Sequence, residues 1–197
     1  MSFGMNPSQR GGRFILDQHQ ANSLIRIVSS VAYPVLEAQG MGARVILVDP
    51  LPLRRAAAEK IGVDVTVDPS AGDAVAKVLE LTGGKGADLV IEASGHDASL
   101  AAVLDYVRTG GRVTFVGISI GRKIPVELGK IQGKSLTIKG TIGSPGVWPA
   151  ALRFLAQTKL DLSPIQTHFF DLTKGVEAFE FGKNPSACIK VTLTNAV

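Results

Sequence analysis

The stretch Gly42-Ala-Arg-Val-Ile-Leu-Val-Asp49 decides the fold of this chain. Its apolar run is short, unbroken and made largely of β-branched residues. Such a run is typical of a strand that is covered on both faces, as in a parallel sheet between two layers of helices. The run ends on the carboxylate of Asp49, so the sequence predicts an acid at the end of a buried strand.

Length and composition favour a compact, globular protein. Of the 197 residues, 45% are hydrophobic and 19% are charged, which excludes disorder and fibrous repeats. No apolar run approaches the roughly 18 residues of a membrane helix, and the N-terminus has no signal core, so no membrane partner is expected. A single cysteine, Cys188, excludes an internal disulfide and a multi-cysteine zinc site. These features predict a cytoplasmic protein.

The basic residues of the chain are not clustered in the sequence. The net charge is +4 and the pI is about 9.3, but basic residues stand alone or in pairs such as Arg54-Arg55. No basic run and no patch with interleaved aromatic residues is present. We therefore expect a solvated surface and no nucleic-acid partner.

The first part of the chain carries weak signals. Residues 1–22 are polar and glycine-rich without periodicity, which indicates a loose arm. Residues 24–28 form a weak strand candidate. Residues 34–41 form a short helix candidate, followed by glycines suited to a helix C-terminus.

From Gly42 onward, strands and helices alternate with short connections. Strands are predicted at 42–49, 64–68, 87–93, 112–116 and 136–141, and helices at 51–61, 71–82, 97–109 and 148–157. The third helix is predicted to be capped by Asp97, to place Val107 on its apolar face and to end at Gly110. Because each parallel strand needs a crossover connection, this alternation predicts a doubly wound parallel α/β sheet.

After Leu162 the alternation stops. A strand at 167–172, a helix at 174–181 and a strand at 187–193 are predicted. This tail needs another surface to pack on.

Five segments in order carry a family resemblance. They are Met41 to Asp49, Ala87-Asp-Leu-Val-Ile-Glu-Ala-Ser-Gly95, Gly110-Gly-Arg-Val-Thr-Phe-Val-Gly117, Leu136-Thr-Ile-Lys-Gly-Thr-Ile-Gly143, and the tail from Thr167 to Leu193. Together they resemble the cofactor domain of the medium-chain dehydrogenases, particularly the zinc-type alcohol, sorbitol and threonine dehydrogenases. The resemblance covers about 34–193 and implies a Rossmann-like fold and hydride transfer between an alcohol and NAD.

The resemblance also implies a domain plan. Residues 1–33 would be a divergent segment with a possible remnant first strand. Residues 34–160 would be the Rossmann-like dinucleotide-binding domain, and residues 161–197 a tail returning to a catalytic domain that is largely absent. Homo-oligomers are expected, because in the family the strand near 136–141 lies close to a subunit interface.

Residue by residue, the resemblance implies a cofactor site along the carboxyl ends of the strands. Asp49 would bind the adenosine ribose and Arg54 would flank the ribose and adenine, although Asp49 could also merely start a turn with Pro50. The remaining candidates end the fourth and fifth strands, where the cofactor crosses the sheet and the nicotinamide lies: Ala93, Ser94, Gly95, Val116, Gly117 and Ile118. The alternatives are core packing for Val116 and Ile118 and ordinary turns for the two glycines.

Two expected features of the family are missing. Counting back from Met41 places the G-x-G-x-x-G turn at Arg26-Ile-Val-Ser-Ser-Val31, which contains no glycine, so NAD binding is predicted to be weak or lost. The family's zinc ligands are absent as well. His19, His96 and His168 have no ligand spacing with Cys188 or with one another, so no catalytic or metal residue is assigned.

Three functions remain open at this stage. The leading hypothesis is the cofactor-binding portion of an NAD-dependent zinc-type alcohol or polyol dehydrogenase, truncated or frameshifted upstream of residue 34 and inactive by itself. The alternative is a catalytically inactive remnant or pseudoenzyme that acts at most as a self-association module. A nucleotide-binding methyltransferase is a third possibility, which the tail from Thr167 to Leu193 argues against.

Overall fold

A computed structural model describes residues 24–28, 43–141, 146, 148–158 and 161–195, without the side chains of 24–28, 154 and 158. The arm predicted at 1–22 and the helix predicted at 34–41 lie outside the described residues. No helix in the described part of the chain is both long enough and apolar enough to cross a bilayer.

One sheet of six parallel strands organises the molecule. In chain order its strands are β1 (Leu24–Val28), β2 (Val45–Val48), β3 (Val65–Val67), β4 (Ala87–Ala93), β5 (Val107–Phe115) and β6 (Thr137–Gly140). Their spatial order is β3-β2-β1-β4-β5-β6, and every neighbouring pair is parallel. This is the strand order of dinucleotide-binding Rossmann folds, so the predicted fold class is confirmed.

The first strand lies in the middle of the sheet. Its backbone pairs with β2 on one side and with β4 on the other, with Val28 opposite Ala93, which confirms the strand predicted at 24–28. The predicted placement of the glycine turn at residues 26–31 is wrong, because residues 26–28 belong to β1.

Helices lie on both faces of the sheet. They are α1 (Pro52–Ile61), α2 (Ala74–Leu81), α3 (Asp97–Tyr106), α4 (Gly129–Gly133) and α5 (Trp148–Thr158). The first begins with Pro52 and ends at Gly62, which adopts a left-handed φ of 101° and donates its N–H to the last turn. The second is capped by the side chain of Asp73, which accepts from the Ala76 N–H.

The boundary between α3 and β5 differs from the prediction. The helix ends at Tyr106, and Val107 begins β5 opposite Ala87. Helical spacing had placed Val107 on the helix, but a β-branched residue gains a fully buried position in the sheet instead. Asp97 is the first residue of α3 and not its cap; His96 holds the cap position without a side-chain hydrogen bond.

The core has two parts, one on each face of the sheet. Alternate residues of β2 point to opposite parts: Ile46 packs in one cluster with residues of α2 and α3, and Leu47 packs in the other with Ala58 of α1. All four residues of β2 are buried. The apolar run before Asp49 is therefore covered on both faces, as its composition predicted.

The tail carries a second, smaller sheet. Strands β7 (Gln166–Asp171) and β8 (Lys190–Thr194) pair in parallel as a second sheet, joined by helix α6 (Gly175–Gly182). The last strand begins later than predicted, because residues 187 and 188 close a turn onto the carbonyl of Asn184. The unit exposes large apolar side chains at Phe169, Leu172, Val176, Phe179 and Leu193.

Candidate functional site

The predicted site residues lie along one edge of the sheet. Asp49 follows β2, Ala93 ends β4 and Val116 follows β5. In an open parallel sheet, ligands bind outside the carboxyl ends of the strands, next to the point where the strand order reverses. That point lies between β1 and β4. From β2 to β5 the edge spans three strand spacings, or about 14 Å.

Asp49 is buried at the end of β2, with 1% of its surface exposed. Its backbone N–H donates to the Val67 carbonyl at 3.1 Å, and its Oδ1 accepts from the Leu51 N–H at 2.8 Å. Within the part of the chain that the structure describes, Oδ2 accepts no hydrogen bond. The nearest cationic group, Nη1 of Arg54, is 3.6 Å from Oδ2, which is an ion-pair distance but too long for a hydrogen bond.

Burial sets the electrostatics of Asp49. It raises the pKa of this carboxyl group above its ordinary value, and the Leu51 N–H and the Arg54 and Arg55 guanidinium groups offset part of that rise. A buried acceptor without a donor costs roughly 1 to 3 kcal/mol. The Nε of Arg54 is also buried without a partner among the described residues. Oδ2 therefore fits a ligand that brings hydroxyl donors, such as a ribose.

Arg55 holds the backbone behind Asp49. Its Nη1 donates to the Asp49 carbonyl at 2.7 Å, and its Nη2 pairs with Asp68 at 2.8 Å, which ties the end of β2 to the end of β3. Hydrogen bonds from Ser70, assisted by Arg55, lower the pKa of Asp68. Sequence reasoning noted Arg55 only as half of a basic pair.

Glu92 is the largest polar group that sequence reasoning missed. It is fully buried in β4. Its Oε1 accepts hydrogen bonds from the Ser94 N–H at 3.0 Å, the Ser94 hydroxyl at 2.5 Å, the Gly95 N–H at 3.1 Å and the Ser99 hydroxyl at 2.8 Å. The Gly95 N–H also lies 3.2 Å from Oε2. The available signal was an acid near the end of an apolar strand, followed after Ala93 by the small donor residues Ser94 and Gly95.

Gly95 and Gly117 bring two loops into contact. Gly95 has a φ of 64°, and a Cβ there would lie 2.5 Å from the Ile118 carbonyl oxygen. A Cβ on Gly117 would overlap the Gly95 nitrogen and Glu92 Oε2. The Gly117 N–H donates to the Glu92 carbonyl at 3.0 Å. The glycines are thus required by the close approach of two backbones, which the alternative of ordinary turns does not explain.

The segment after β5 is apolar and open to solvent. Val116 is 40% exposed and Ile118 is 62% exposed, so the alternative of core packing is wrong for both. An open cleft of about 530 Å³ lies at the carboxyl ends of β5 and β6 and is lined in part by Gly117 and Ile118. Arg122 lines it too; this residue donates to the Gly95 carbonyl and pairs with Asp97 at 2.9 Å.

Among the described residues, no group of three or more His, Cys, Asp or Glu side chains could hold a metal ion. His168 packs its ring against Phe181, with centroids 4.5 Å apart, and the Cys188 thiol is buried facing the Asn184 carbonyl. His19 lies outside the described residues. The described side chains do not fit a zinc site.

Comparison with known proteins shows which family this chain matches. A family model described as zinc-binding dehydrogenase matches residues 34–157, more than half of the chain. An erythritol/L-threitol dehydrogenase of Mycolicibacterium smegmatis is 33% identical over 154 residues, covering 78% of this chain and 42% of that protein. An L-threonine 3-dehydrogenase of Pyrococcus horikoshii is 36% identical over 73% of this chain and 42% of its own length. The chain thus spans less than half the length of these relatives.

Solved structures agree with the fold. An alcohol dehydrogenase from Thermus sp. ATN1 superposes with a TM-score of 0.80 at 27% identity, over 91% of this chain and 51% of that chain. A structure from Sinorhizobium meliloti described as a zinc-binding dehydrogenase and bound to NADP superposes with a TM-score of 0.78 at 26% identity, over 88% and 52%. The predicted resemblance is confirmed, and the chain belongs to the zinc-binding dehydrogenase family, whose members are oxidoreductases acting on alcohols.

Proposed function

We propose that this chain is the cofactor-binding portion of a cytoplasmic, NAD-dependent dehydrogenase that oxidises an alcohol or polyol. The observation that carries the proposal is the buried carboxylate of Asp49, which ends β2 with Oδ2 unpartnered in the described structure. A hydroxyl pair on an adenosine ribose supplies the donors that this oxygen lacks. The bound nicotinamide would supply the hydride acceptor.

The preference for NAD over NADP follows from the same residue. A 2′-phosphate would place its negative charge beside a buried carboxylate, where repulsion is screened far less than in water. Arg54 lies 3.6 Å from Asp49 and would contact the ribose and adenine, with its charge already offset by the acid. A family neighbour of similar fold was solved with NADP, so the fold itself does not choose between the two cofactors.

The nicotinamide end of the proposed site lies at β4 and β5. Val116 and Ile118 expose apolar surface there, and Ala93, Ser94, Gly95 and Gly117 form the backbone beneath it. Apolar side chains at this edge would pack against a nicotinamide ring and exclude water from one side of it. We expect these 197 residues to be inactive by themselves, since the sequence has one cysteine, three histidines and no zinc-ligand spacing.

Calorimetry with NADH and NADPH tests the proposal. We expect submillimolar or weaker binding of NADH, at least tenfold tighter than that of NADPH, and a smaller preference in Asp49→Asn. The control is Asp88→Asn, which removes an acid paired with Arg108 at 2.5 Å at the opposite end of β4 and should leave the preference unchanged. Equal affinity for both cofactors would contradict the assignment of Asp49. Reduction of NAD with sorbitol or threonine would contradict only the expected inactivity.

A second candidate is a self-association module. All four residues of β6 are exposed, and this strand is the last in the sheet, with β5 as its neighbour. An open edge strand and an apolar tail surface favour association. Light scattering at micromolar concentration should show dimers or larger species, and Ile138→Lys on β6 should reduce them. Leu152→Lys, a matched change on an exposed position of α5, should not. A monomer in the unmodified chain would contradict this candidate.

A further inference from the structure

Glu92 joins the two loops that form the nicotinamide end of the edge. Four donor atoms converge on its Oε1, and they belong to Ser94 and Gly95 in the loop after β4 and to Ser99 in the first turn of α3. The loop after β5 contacts the same residue, because the Val116 and Gly117 N–H groups donate to the Glu92 carbonyl at 2.7 and 3.0 Å. One buried residue therefore sets the positions of both loops.

The location of the carboxyl group explains how it can stay buried. Glu92 lies beside the beginning of α3, where helix backbone dipoles favour a negative charge. The donors from three residues satisfy the group in place of water. Oε2 fills the space beside the Gly117 α-carbon, so no side chain fits there. A change of charge or shape at Glu92 is therefore transmitted directly to the backbone between Val116 and Ile118.

We infer that Glu92 is a positioning residue for the nicotinamide half of the cofactor: by holding Ser94-Gly95 and Val116-Gly117 in contact, it fixes the surface on which that ring rests. This inference rests on the proposed function. It assigns Glu92 no contact with the cofactor and no step in the reaction. Asp49 and its partners Leu51, Arg54 and Arg55 share no hydrogen bond with the Glu92 network in the described structure, so we expect substitutions at Glu92 to leave the Asp49 contacts in place.

Saturation-transfer NMR with NADH provides a test that does not depend on how much protein is folded. The readout is the ratio of the nicotinamide signals to the adenine signals of the same ligand. Partial unfolding lowers both signals together and leaves the ratio unchanged, whereas a displaced nicotinamide surface lowers the ratio. The variants are Glu92→Gln, which keeps the shape but places an amide N–H₂ toward the Gly95 N–H, and Glu92→Ala. Asp88→Asn, at the other end of the same strand, is the matched control.

We expect the ratio to fall at least twofold in both Glu92 variants and to stay at the unmodified value in Asp88→Asn. Should Glu92→Ala fail to fold, Glu92→Gln decides. An unchanged ratio in Glu92→Gln would overturn the positioning role, whatever its thermal stability. If NADH gave neither adenine nor nicotinamide signals with the unmodified chain, the proposed cofactor site would be wrong and this inference with it.

Discussion

Two buried carboxyl groups lie on the same edge of the sheet and differ in how their oxygens are satisfied. Glu92, in β4, receives hydrogen bonds from both neighbouring loop residues and from α3. Asp49, after β2, receives one from Leu51 on Oδ1 and none on Oδ2 among the described residues. Burial costs both groups solvation, and the described protein replaces it on one oxygen of Asp49 but on both oxygens of Glu92. On the proposed function, the difference separates an acid that holds the fold from one that binds the ribose.

The largest expected effect comes from removing the hydrogen-bonded carboxyl group of Glu92. Glu92→Ala leaves the Gly95 N–H and the Ser94 and Ser99 donors without their acceptor and opens a cavity under two loops. Each unsatisfied buried donor costs roughly 1 to 3 kcal/mol, so we expect the free energy of unfolding to fall by about 3 kcal/mol or more. Urea denaturation measures it. A loss under 1 kcal/mol would mean that water satisfies these donors, and the contrast with Asp49 would disappear.

A steric change at the same contact should cost somewhat less. Gly117→Ala places a Cβ against the Gly95 nitrogen and Glu92 Oε2, both of which are held by hydrogen bonds and cannot move freely. Overpacking of this kind typically costs about 1 to 3 kcal/mol. Thermal denaturation should show the loss. Gly129→Ala, at a helical glycine with open space around it, serves as the control and should be neutral or slightly stabilising.

The sequence predicted the sheet but not the contacts of Glu92. The apolar run before Asp49 and the alternation that followed it predicted the sheet, because burial on both faces and crossover connections leave a pattern in one dimension. Glu92 left a weaker pattern, because it is one of two acids in an otherwise apolar strand. Nothing local shows that Ser99, seven residues on, or Gly117, twenty-five residues on, packs against it. The first contact forms only when α3 folds back on β4, and the second only when β4 and β5 pair.

At Val107 a clear local pattern predicted the wrong element. Its spacing from Leu100, Val103 and Leu104 fitted a helix, yet it begins β5 opposite Ala87. Over so few residues, the spacing of apolar side chains does not distinguish the last turn of a helix from the first residue of a strand. Pairing with β4 places Val107 in the strand. The glycine turn was misplaced for a related reason, since counting along a family pattern does not locate the end of β1.

A substitution at Asp49 should weaken cofactor binding without lowering stability. Asp49→Asn keeps an oxygen for the Leu51 N–H but removes the charge, and we expect the NADH affinity to fall by about tenfold, the worth of one hydrogen bond to a charged group. Stability at pH 7 should stay equal or rise. Burial raises the Asp49 pKa in the folded state, so the folded chain takes up this proton more readily than the unfolded chain.

The sign of the pH dependence follows. This group destabilises the fold as pH rises from its ordinary pKa of 3.8 through its raised folded value, and the penalty persists above that window. The free energy of unfolding of Asp49→Asn should therefore equal that of the unmodified chain below pH 3.8. It should exceed it increasingly as the pH rises through the folded pKa of Asp49. Denaturation at several pH values measures it. A variant that is less stable at pH 7 but equal in acid would show that Oδ2 is satisfied by the protein after all.

The smallest effect is expected at the outer connection between the two loops. Arg122 joins them by donating to the Gly95 carbonyl and by pairing with Asp97, but its side chain is 47% exposed and that of Asp97 is 59% exposed. Exposed ion pairs contribute at most about 1 kcal/mol and are screened by salt, so Arg122→Ala should lower the free energy of unfolding by about 0.5 kcal/mol, and by less in 0.5 M salt. Asp97→Asn removes the ion pair alone and should cost no more than Arg122→Ala. If Arg122→Ala instead cost as much as Glu92→Ala, the two loops would be held from the solvent side, and the buried carboxyl group would not be what sets their spacing.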